Sequence, residues 1–248
     1  MRRRTTLRPD HTNHDLPIED YGLLGDTRTA ALVGSNGSGD WLCIPRFDGV
    51  PVFGRLVGGP TAGSFRLAPA NRCAVTARRY RRNTATMETT WRTEVGRLTL
   101  TEGMVSEVHE RLLPSTMLVR RLTAQDGPVQ ATIEFDPRLG EAHQRPQTRN
   151  QGGITVCSWS TMAVSLTATT TETAIEPGVP HTVTVAPDRP WTCVMSMADR
   201  EPLVLSSLTP LGRRYKPTSC SGRPGVRVST RAYPNATPWS AACSRSAC

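Results

Sequence analysis

The 248-residue sequence has little lysine, few aromatic residues and no long apolar run. Lys216 is the only lysine among 30 basic residues, so arginine supplies the other 29 (30 minus 1). A GC-rich gene explains this bias, which protein physics does not require. The lack of eighteen consecutive apolar residues argues against a membrane-spanning helix. The basic start, Met1 to Leu7, is not followed by an apolar segment, so we expect no secretory signal and a cytoplasmic protein.

Metal-binding and disulfide patterns are also lacking. The seven cysteines are odd in number and include no C-x-x-C pair, which argues against a zinc ribbon or a disulfide framework. The five histidines are scattered and form no H-E-x-x-H pair. We therefore expect no metal and no other cofactor. Cys43, Cys157 and Cys193 lie in apolar strand patterns and are expected to be small buried hydrophobic residues.

The net charge of +9 is concentrated at one end of the chain. Residues 201–248 contain seven Lys or Arg and one acidic residue, a charge of +6, so the first 200 residues carry only +3 (9 minus 6). A basic protein can bind nucleic acid or an anionic membrane. Because the excess lies in the tail, we expect neither partner for the folded part.

The sequence predicts an all-β fold, a large antiparallel β-sandwich of two stacked sheets. About eleven extended segments rich in Thr and Val recur with turns about every ten residues, and helical periodicity is nearly absent. Asn36-Gly37 predicts a tight turn in a hairpin of two strands, residues 23–33 and 40–44. Residues 140–153 are polar and are predicted to be a mobile loop. The domain is predicted at residues 16–205, after a flexible arm (1–15) and before a disordered, irregular tail (206–248).

One segment combines groups that bind sugars. Trp41, Arg46 and Asp48 place an aromatic ring, a guanidinium and a carboxylate at the end of a strand, where they could stack on a sugar ring and hydrogen-bond its hydroxyls. The structural alternative is that Arg46 and Asp48 pair to anchor the loop while Trp41 lies in the core. The arginine-rich residues 78–82 resemble a phosphate site, but a solvated edge strand is the favoured interpretation.

The same hairpin carries a family resemblance. LPIEDYGLLGD (16–26), TRTAALV (27–33) and GSGDWLCIPRFD (37–48) resemble the opening of the trehalase-like N-terminal domain of bacterial family 15 glycoside hydrolases. Further segments of the resemblance are residues 63–69, 78–81, 87–89 and 198–203. The resemblance runs collinearly over residues 16–205.

The resemblance implies a non-catalytic β-sandwich followed by an (α/α)6 barrel that hydrolyses α-glucosidic bonds with inversion, as glucoamylases and trehalases do. Inversion requires an acid and a base carboxyl roughly 6.5–9.5 Å apart. In the family both carboxyls are barrel glutamates. No position of this sequence inherits either role, so no catalytic residue is expected and the missing barrel is the expected partner.

The tail supports a hypothesis about the gene. One permitted choice of codons for residues 228–248 gives, in a shifted frame, an amphipathic segment that resembles the first barrel helix of the family. We therefore expect that a frameshift after about residue 205 produced residues 206–248.

Three functions remain open from the sequence: an inactive hydrolase fragment, a stand-alone module that binds carbohydrate or a protein partner, and an arginine-driven nucleic-acid-binding protein. The first is preferred, with an α-glucoside as the sugar in question. The second predicts sugar binding that Trp41→Ala weakens. The third predicts steeply salt-dependent DNA binding that depends on the tail.

Overall fold

The computed structural model describes residues 16–108, 111–169, 174–201, 203, 205–207 and 229–231, with no side-chain description for 106–108, 111–115, 206–207 and 229–231. The predicted arm (1–15) and most of the predicted tail (206–248) lie outside the described residues.

Strands dominate the described part of the chain. In chain order they are β1 Tyr21–Gly25, β2 Ala30–Gly34, β3 Ser38–Ile44, β4 Val50–Phe53, β5 Ser64–Pro69, β6 Cys73–Tyr80, β7 Met87–Thr93, β8 Arg97–Val108, β9 Arg111–Gln125, β10 Val129–Asp136, β11 Gln147–Gln151, β12 Ile154–Ser158, β13 Met162–Ala168, β14 His181–Val185, β15 Trp191–Asp199, β16 Leu205–Ser207 and β17 Ser229–Arg231. The helical elements described are a 3-10 turn, Ile18–Asp20, and one short helix, α1, Arg55–Gly58.

The strands form two large antiparallel sheets. The front sheet has the order β1-β2-β3-β5-β10-β14, and β4 also pairs with β3. The back sheet has the order β11-β12-β13-β15-β9-β8-β7-β6. Outside them, β16 pairs with β17. The predicted all-β class and its two antiparallel sheets are confirmed.

The core lies between the two sheets, because alternate residues of a strand point to opposite faces. On β7 of the back sheet, Met87, Thr89 and Trp91 are buried while the residues between them are partly exposed. Phe65 and Phe135 of the front sheet meet edge to face with ring centroids 5.2 Å apart. Apolar side chains from both sheets join in one cluster, which fixes the sheets face to face.

The predicted hairpin is present, but the prediction that residues 23–33 form one continuous strand is wrong. Residues 23–33 form parts of two strands, β1 and β2, separated by a turn. The Asp26 side chain accepts hydrogen bonds from the backbone N–H groups of Arg28 and Thr29, and Thr27 has a φ of 73°. An aspartate that bonds the backbone two and three residues later is a turn signal. Because apolar residues flank this turn on both sides, the sequence pattern favoured one continuous strand over a turn.

The predicted loop at 140–153 is also partly wrong. Its second half contains β11, which pairs with β12 at the end of the back sheet. All five residues of β11 are exposed and polar, so the strand lacks the apolar alternation by which a strand is recognised. A short polar strand suits the edge of a sheet, where it discourages association with another chain.

The seam between β1 and β6, the end strands of the two sheets, is closed by side chains. The backbone N–H of Leu23 donates to the Tyr80 hydroxyl at 2.7 Å, and this hydroxyl donates to the Leu23 carbonyl at 3.0 Å. The Arg78 guanidinium donates to the carbonyls of Asp20 and Val33. The Tyr80 phenol thus bonds both backbone groups of Leu23, and the Arg78 guanidinium adds two hydrogen bonds across the seam.

Candidate functional site

Trp41 lies on the outer face of the front sheet. Its neighbour Leu42 is fully buried in the core, so Trp41 points away from it. It is half-buried and lies opposite Leu32 of β2, which in turn lies opposite the exposed Leu23 of β1. The core placement considered for Trp41 is therefore wrong, and the ring lies in an apolar row on the molecular surface.

Arg46 and Asp48 lie in the loop between β3 and β4. The Arg46 Nε is 3.1 Å from Asp48 Oδ1, and both side chains are mainly exposed. The backbone N–H of Gly49 closes the turn by donating to the Arg46 carbonyl at 2.9 Å. The two residues pair with each other, as the structural alternative proposed, and they are on a different element from Trp41.

Sequence reasoning missed the aromatic residue that lies between them. Phe47 is 67% exposed, and its backbone N–H donates to the Arg28 carbonyl at 3.2 Å. An exposed ring that is adjacent in sequence to a guanidinium and a carboxylate is a combination that can contact a sugar. The signal was present in the sequence as an aromatic residue in a turn, but Trp41 was taken as the aromatic of the segment.

Glu102 of β8 and Arg120 of β9 form an ion pair inside the core. Both side chains are 0% exposed, and Arg120 Nη2 is 2.7 Å from Glu102 Oε2. Arg120 also donates to the carbonyls of Phe65 and Gly37, so it spans the core from the back sheet to the front sheet. Burial raises the pKa of Glu102, and the charge of Arg120 opposes this. The pair fixes the β2–β3 turn and has no access to solvent.

Several other carboxylates of the described residues also have partners. Arginine partners neutralise Glu88 (Arg79 and Arg81), Glu134 (Arg66), Asp136 (Arg138) and Asp126 (Arg97). Buried Asp40 accepts from the Tyr21 hydroxyl at 2.7 Å and from the Ser38 hydroxyl. These carboxylates therefore make structural contacts, and Glu102, whose pKa is raised by burial, is sealed in the core.

Most arginine side chains of residues 78–82 bond to other groups of the domain. Arg78 reaches the front sheet, and Arg79 and Arg81 share the carboxylate of Glu88, with Arg81 Nε 2.6 Å from Glu88 Oε1. This supports an edge strand with paired charges. A phosphate site would need several of these guanidinium groups to be directed at a ligand.

Neither a metal centre nor a cysteine nucleophile is found in the described part of the chain. No group of three or more His, Cys, Asp or Glu side chains that could hold a metal ion occurs among the described residues. Burial raises the pKa of Cys157 and of Cys193 to about 12, so neither forms a thiolate near neutral pH. None of the described helices has the length and apolar character needed to cross a membrane.

Comparison with known proteins identifies the family of the two-sheet domain. The family model described as "Trehalase-like, N-terminal" matches residues 2–197. The chain belongs to this trehalase-like N-terminal domain family. The trehalase-like N-terminal domain therefore accounts for both sheets up to β15.

The relatives of this trehalase-like domain are much longer proteins. A protein named trehalase from Mycolicibacterium smegmatis is 44% identical over 89 residues, which is 36% of this chain and 13% of the relative. The trehalase of Mycobacterium tuberculosis is 43% identical over 89 residues, which is again 36% of this chain and 13% of the relative. The trehalase of Thermoplasma volcanium is 28% identical over 132 residues, 52% of this chain and 21% of the relative. The aligned stretches thus span between about an eighth and a fifth of the relatives.

Proposed function

We propose that this chain is the non-catalytic N-terminal domain of a family 15 α-glucoside hydrolase of the glucoamylase and trehalase type, and that it hydrolyses no sugar alone. Its partner is a separate (α/α)6 catalytic domain. The observation that carries the proposal is the state of the carboxylates. Inverting hydrolysis requires a protonated acid and a second carboxylate on either side of a bound sugar. Glu102, the candidate acid by its raised pKa, is 0% exposed and bonded to Arg120.

The experiment is an assay of glucose release from trehalose and from maltooligosaccharides by the purified chain. The trehalase of Mycolicibacterium smegmatis serves as the active control. We expect no glucose above the buffer blank at any protein concentration. Glucose release that elutes with the domain on a sizing column at constant specific activity across the peak would contradict the proposal, whereas release that separates from the domain indicates a contaminating enzyme.

A second candidate function is sugar binding without hydrolysis. It is favoured by the exposed Phe47 ring between Arg46 and Asp48, and by the surface position of Trp41. An exposed loop and strand face suit an α-glucoside held weakly, with a Kd of about 1 mM, equivalent to about −4 kcal/mol.

Calorimetric titration with trehalose and maltotriose tests this binding. Phe47→Ala and Trp41→Ala should each weaken it if the loop and the strand face act together, while Val57→Ala, on another exposed apolar side chain, is the matched control. Unchanged affinity in both aromatic variants would remove this function from consideration.

A further inference from the structure

The turn between β2 and β3 contains the one asparagine of the sequence that is followed by glycine, Asn36-Gly37. Asparagine is a thermolabile residue. In an unfolded chain the backbone nitrogen of the next residue can attack the side-chain carbonyl carbon, and a glycine, which has no Cβ, hinders this approach least. The other asparagines precede His, Arg, Thr, Gln or Ala. The sequence therefore places a site of spontaneous chemistry in this turn.

In the folded domain the reacting groups are hydrogen-bonded and kept from water. Asn36 is 3% exposed, and its Oδ1 accepts from the backbone N–H of Ser38 at 3.0 Å. The Gly37 N–H, whose proton must leave before attack, donates to the Gly34 carbonyl at 3.0 Å. A buried N–H that is donated inside the protein is protected from solvent base until the structure opens locally. The fold thus withholds both the nucleophile and the carbonyl group that it would attack.

Neighbouring groups also hold Gly37 in place. Its carbonyl accepts from the Leu67 N–H at 2.9 Å and from Arg120 Nη2 at 2.7 Å. Gly37 has a φ of 78°, and a Cβ there would lie 2.0 Å from the Leu67 carbonyl oxygen. Gly34 packs against the Asn36 side chain, since a Cβ on Gly34 would lie 2.7 Å from Asn36 Oδ1. The turn therefore has no room for an additional main-chain atom.

We propose that Asn36-Gly37 is a latent deamidation site, unreactive in the folded domain and reactive whenever the chain unfolds. The Gly37 nitrogen loses its proton and bonds to Asn36 Cγ, and the side-chain nitrogen of Asn36 leaves as ammonia, which gives a cyclic succinimide. One water molecule then opens the ring at either of its carbonyls. One product is aspartate, and the other is isoaspartate, in which the main chain runs through Cβ and is one atom longer.

Neither product suits this turn. Isoaspartate inserts a methylene group into the main chain beside Gly37, where the Leu67 carbonyl leaves no space. Aspartate places a carboxylate at a position that is 3% exposed, and burial of a charge is costly unless the charge is paired. Unfolding of this domain therefore becomes irreversible with time through a covalent change. This inference is independent of whether the domain serves a hydrolase.

The first test compares reaction rates in the native and the denatured full-length chain. Both samples are held at mildly alkaline pH in water enriched in heavy oxygen, so that only products formed during the incubation carry the label. Peptide mass spectrometry then measures the labelled fraction at Asn36. We expect the native rate to be at least about 100-fold lower than the rate in guanidinium chloride, because reaction requires opening of the turn. Equal rates would overturn the proposal.

Arg72→Gly is the matched control for this comparison. It places a second asparagine–glycine pair in the exposed bend at residues 70–72, between β5 and β6. Asn71 of this variant should react in the native protein within about tenfold of its denatured rate, because no opening is required there. Native reaction at Asn71 that is as slow as at Asn36 would remove burial of the β2–β3 turn as the cause of protection.

A second measurement tests the consequence for refolding. Denatured chain is aged, diluted out of denaturant and separated into refolded and unrefolded fractions on a sizing column. Isoaspartate at position 36 should be concentrated in the unrefolded fraction. Asn36→Ser cannot form a succinimide, and its hydroxyl can still accept from the Ser38 N–H, so its refolding yield should not fall with ageing. Equal isoaspartate content in the two fractions, or the same age-dependent loss in Asn36→Ser, would overturn the link to irreversible unfolding; the comparison of fractions stands even if that variant does not fold.

Discussion

Replacement of Arg120 by methionine should be among the most damaging single changes in this domain. The guanidinium donates to Glu102 at 2.9 Å, to the Gly37 carbonyl at 2.7 Å and to the Phe65 carbonyl, and it lies 4.9 Å from the centre of the Phe65 ring. Methionine fills a similar volume but donates nothing. The change therefore leaves the buried Glu102 carboxylate without this partner and removes one hydrogen bond from each of the Phe65 and Gly37 carbonyls, although Gly37 keeps its bond from the Leu67 N–H at 2.9 Å.

The magnitude follows from those losses. Removal of one partner of a buried ion pair costs about 3–5 kcal/mol, because the remaining charge is uncompensated. We expect Arg120→Met to lower the free energy of unfolding by about 5 kcal/mol at pH 7.5, a large part of the 5–15 kcal/mol that is typical of domains. For a domain of about 200 residues this corresponds to a Tm lower by about 10–20 °C.

The loss should depend on pH in a defined direction. Burial already raises the pKa of Glu102, and removal of Arg120 removes the larger of the two charges, those of Arg120 and Arg78, that oppose this. A carboxyl group with a folded-state pKa above its unfolded value stabilises the fold below the unfolded pKa and loses that contribution as pH rises through the folded pKa. The difference between wild type and Arg120→Met should therefore be smallest near pH 4 and widen toward pH 7.5.

Urea unfolding monitored by circular dichroism at several pH values measures both effects. The matched control is the double variant Glu102→Met/Arg120→Met, which removes both charges and should recover all but about 2 kcal/mol, because hydrophobic replacement of a buried pair is often nearly neutral. Equal destabilisation of the single and double variants, or a loss that does not change with pH, would refute the reasoning.

Two further predictions concern a turn and the thiols. Gly37 has a φ of 78°, and a Cβ there would lie 2.0 Å from the Leu67 carbonyl oxygen. Gly37→Ala should cost at least about 3 kcal/mol in urea unfolding, against about 1 kcal/mol for Gly59→Ala, where φ is 73° and the space is open; equal costs would exclude the close contact as the cause. Cys157 and Cys193, with pKa values of about 12, should resist iodoacetamide at pH 8 until urea unfolds the chain, and rapid native alkylation would contradict their burial.

The fold class was predictable because period-two patterns and turn residues are local signals. The β2–β3 turn at Asn36-Gly37 was correctly placed since its left-handed glycine is encoded in two adjacent residues. The break at Asp26 and the strand β11 were not found. The first depends on a side chain that bonds its own backbone, and the second is held by its pairing with β12 and has no apolar face.

The candidate site was less predictable. The Arg46–Asp48 pair follows from two nearby opposite charges, and it forms. The outward direction of Trp41 depends on the parity of β3, which an irregularity in its register with β2 between Leu32 and Val33 makes hard to assign from sequence. The Glu102–Arg120 pair joins residues 18 apart on two strands, with no local signature. Such contacts are specified by sheet register and require the structure.

The Tyr80 hydroxyl at the seam has a consequence for how this protein behaves at high concentration. An end strand with unsatisfied amide and carbonyl groups is a template on which a neighbouring molecule can build. One phenol takes both positions at Leu23, so an incoming chain finds them already in use. We therefore expect that removal of this one oxygen atom, as in Tyr80→Phe, exposes both groups of Leu23 to pairing with another molecule.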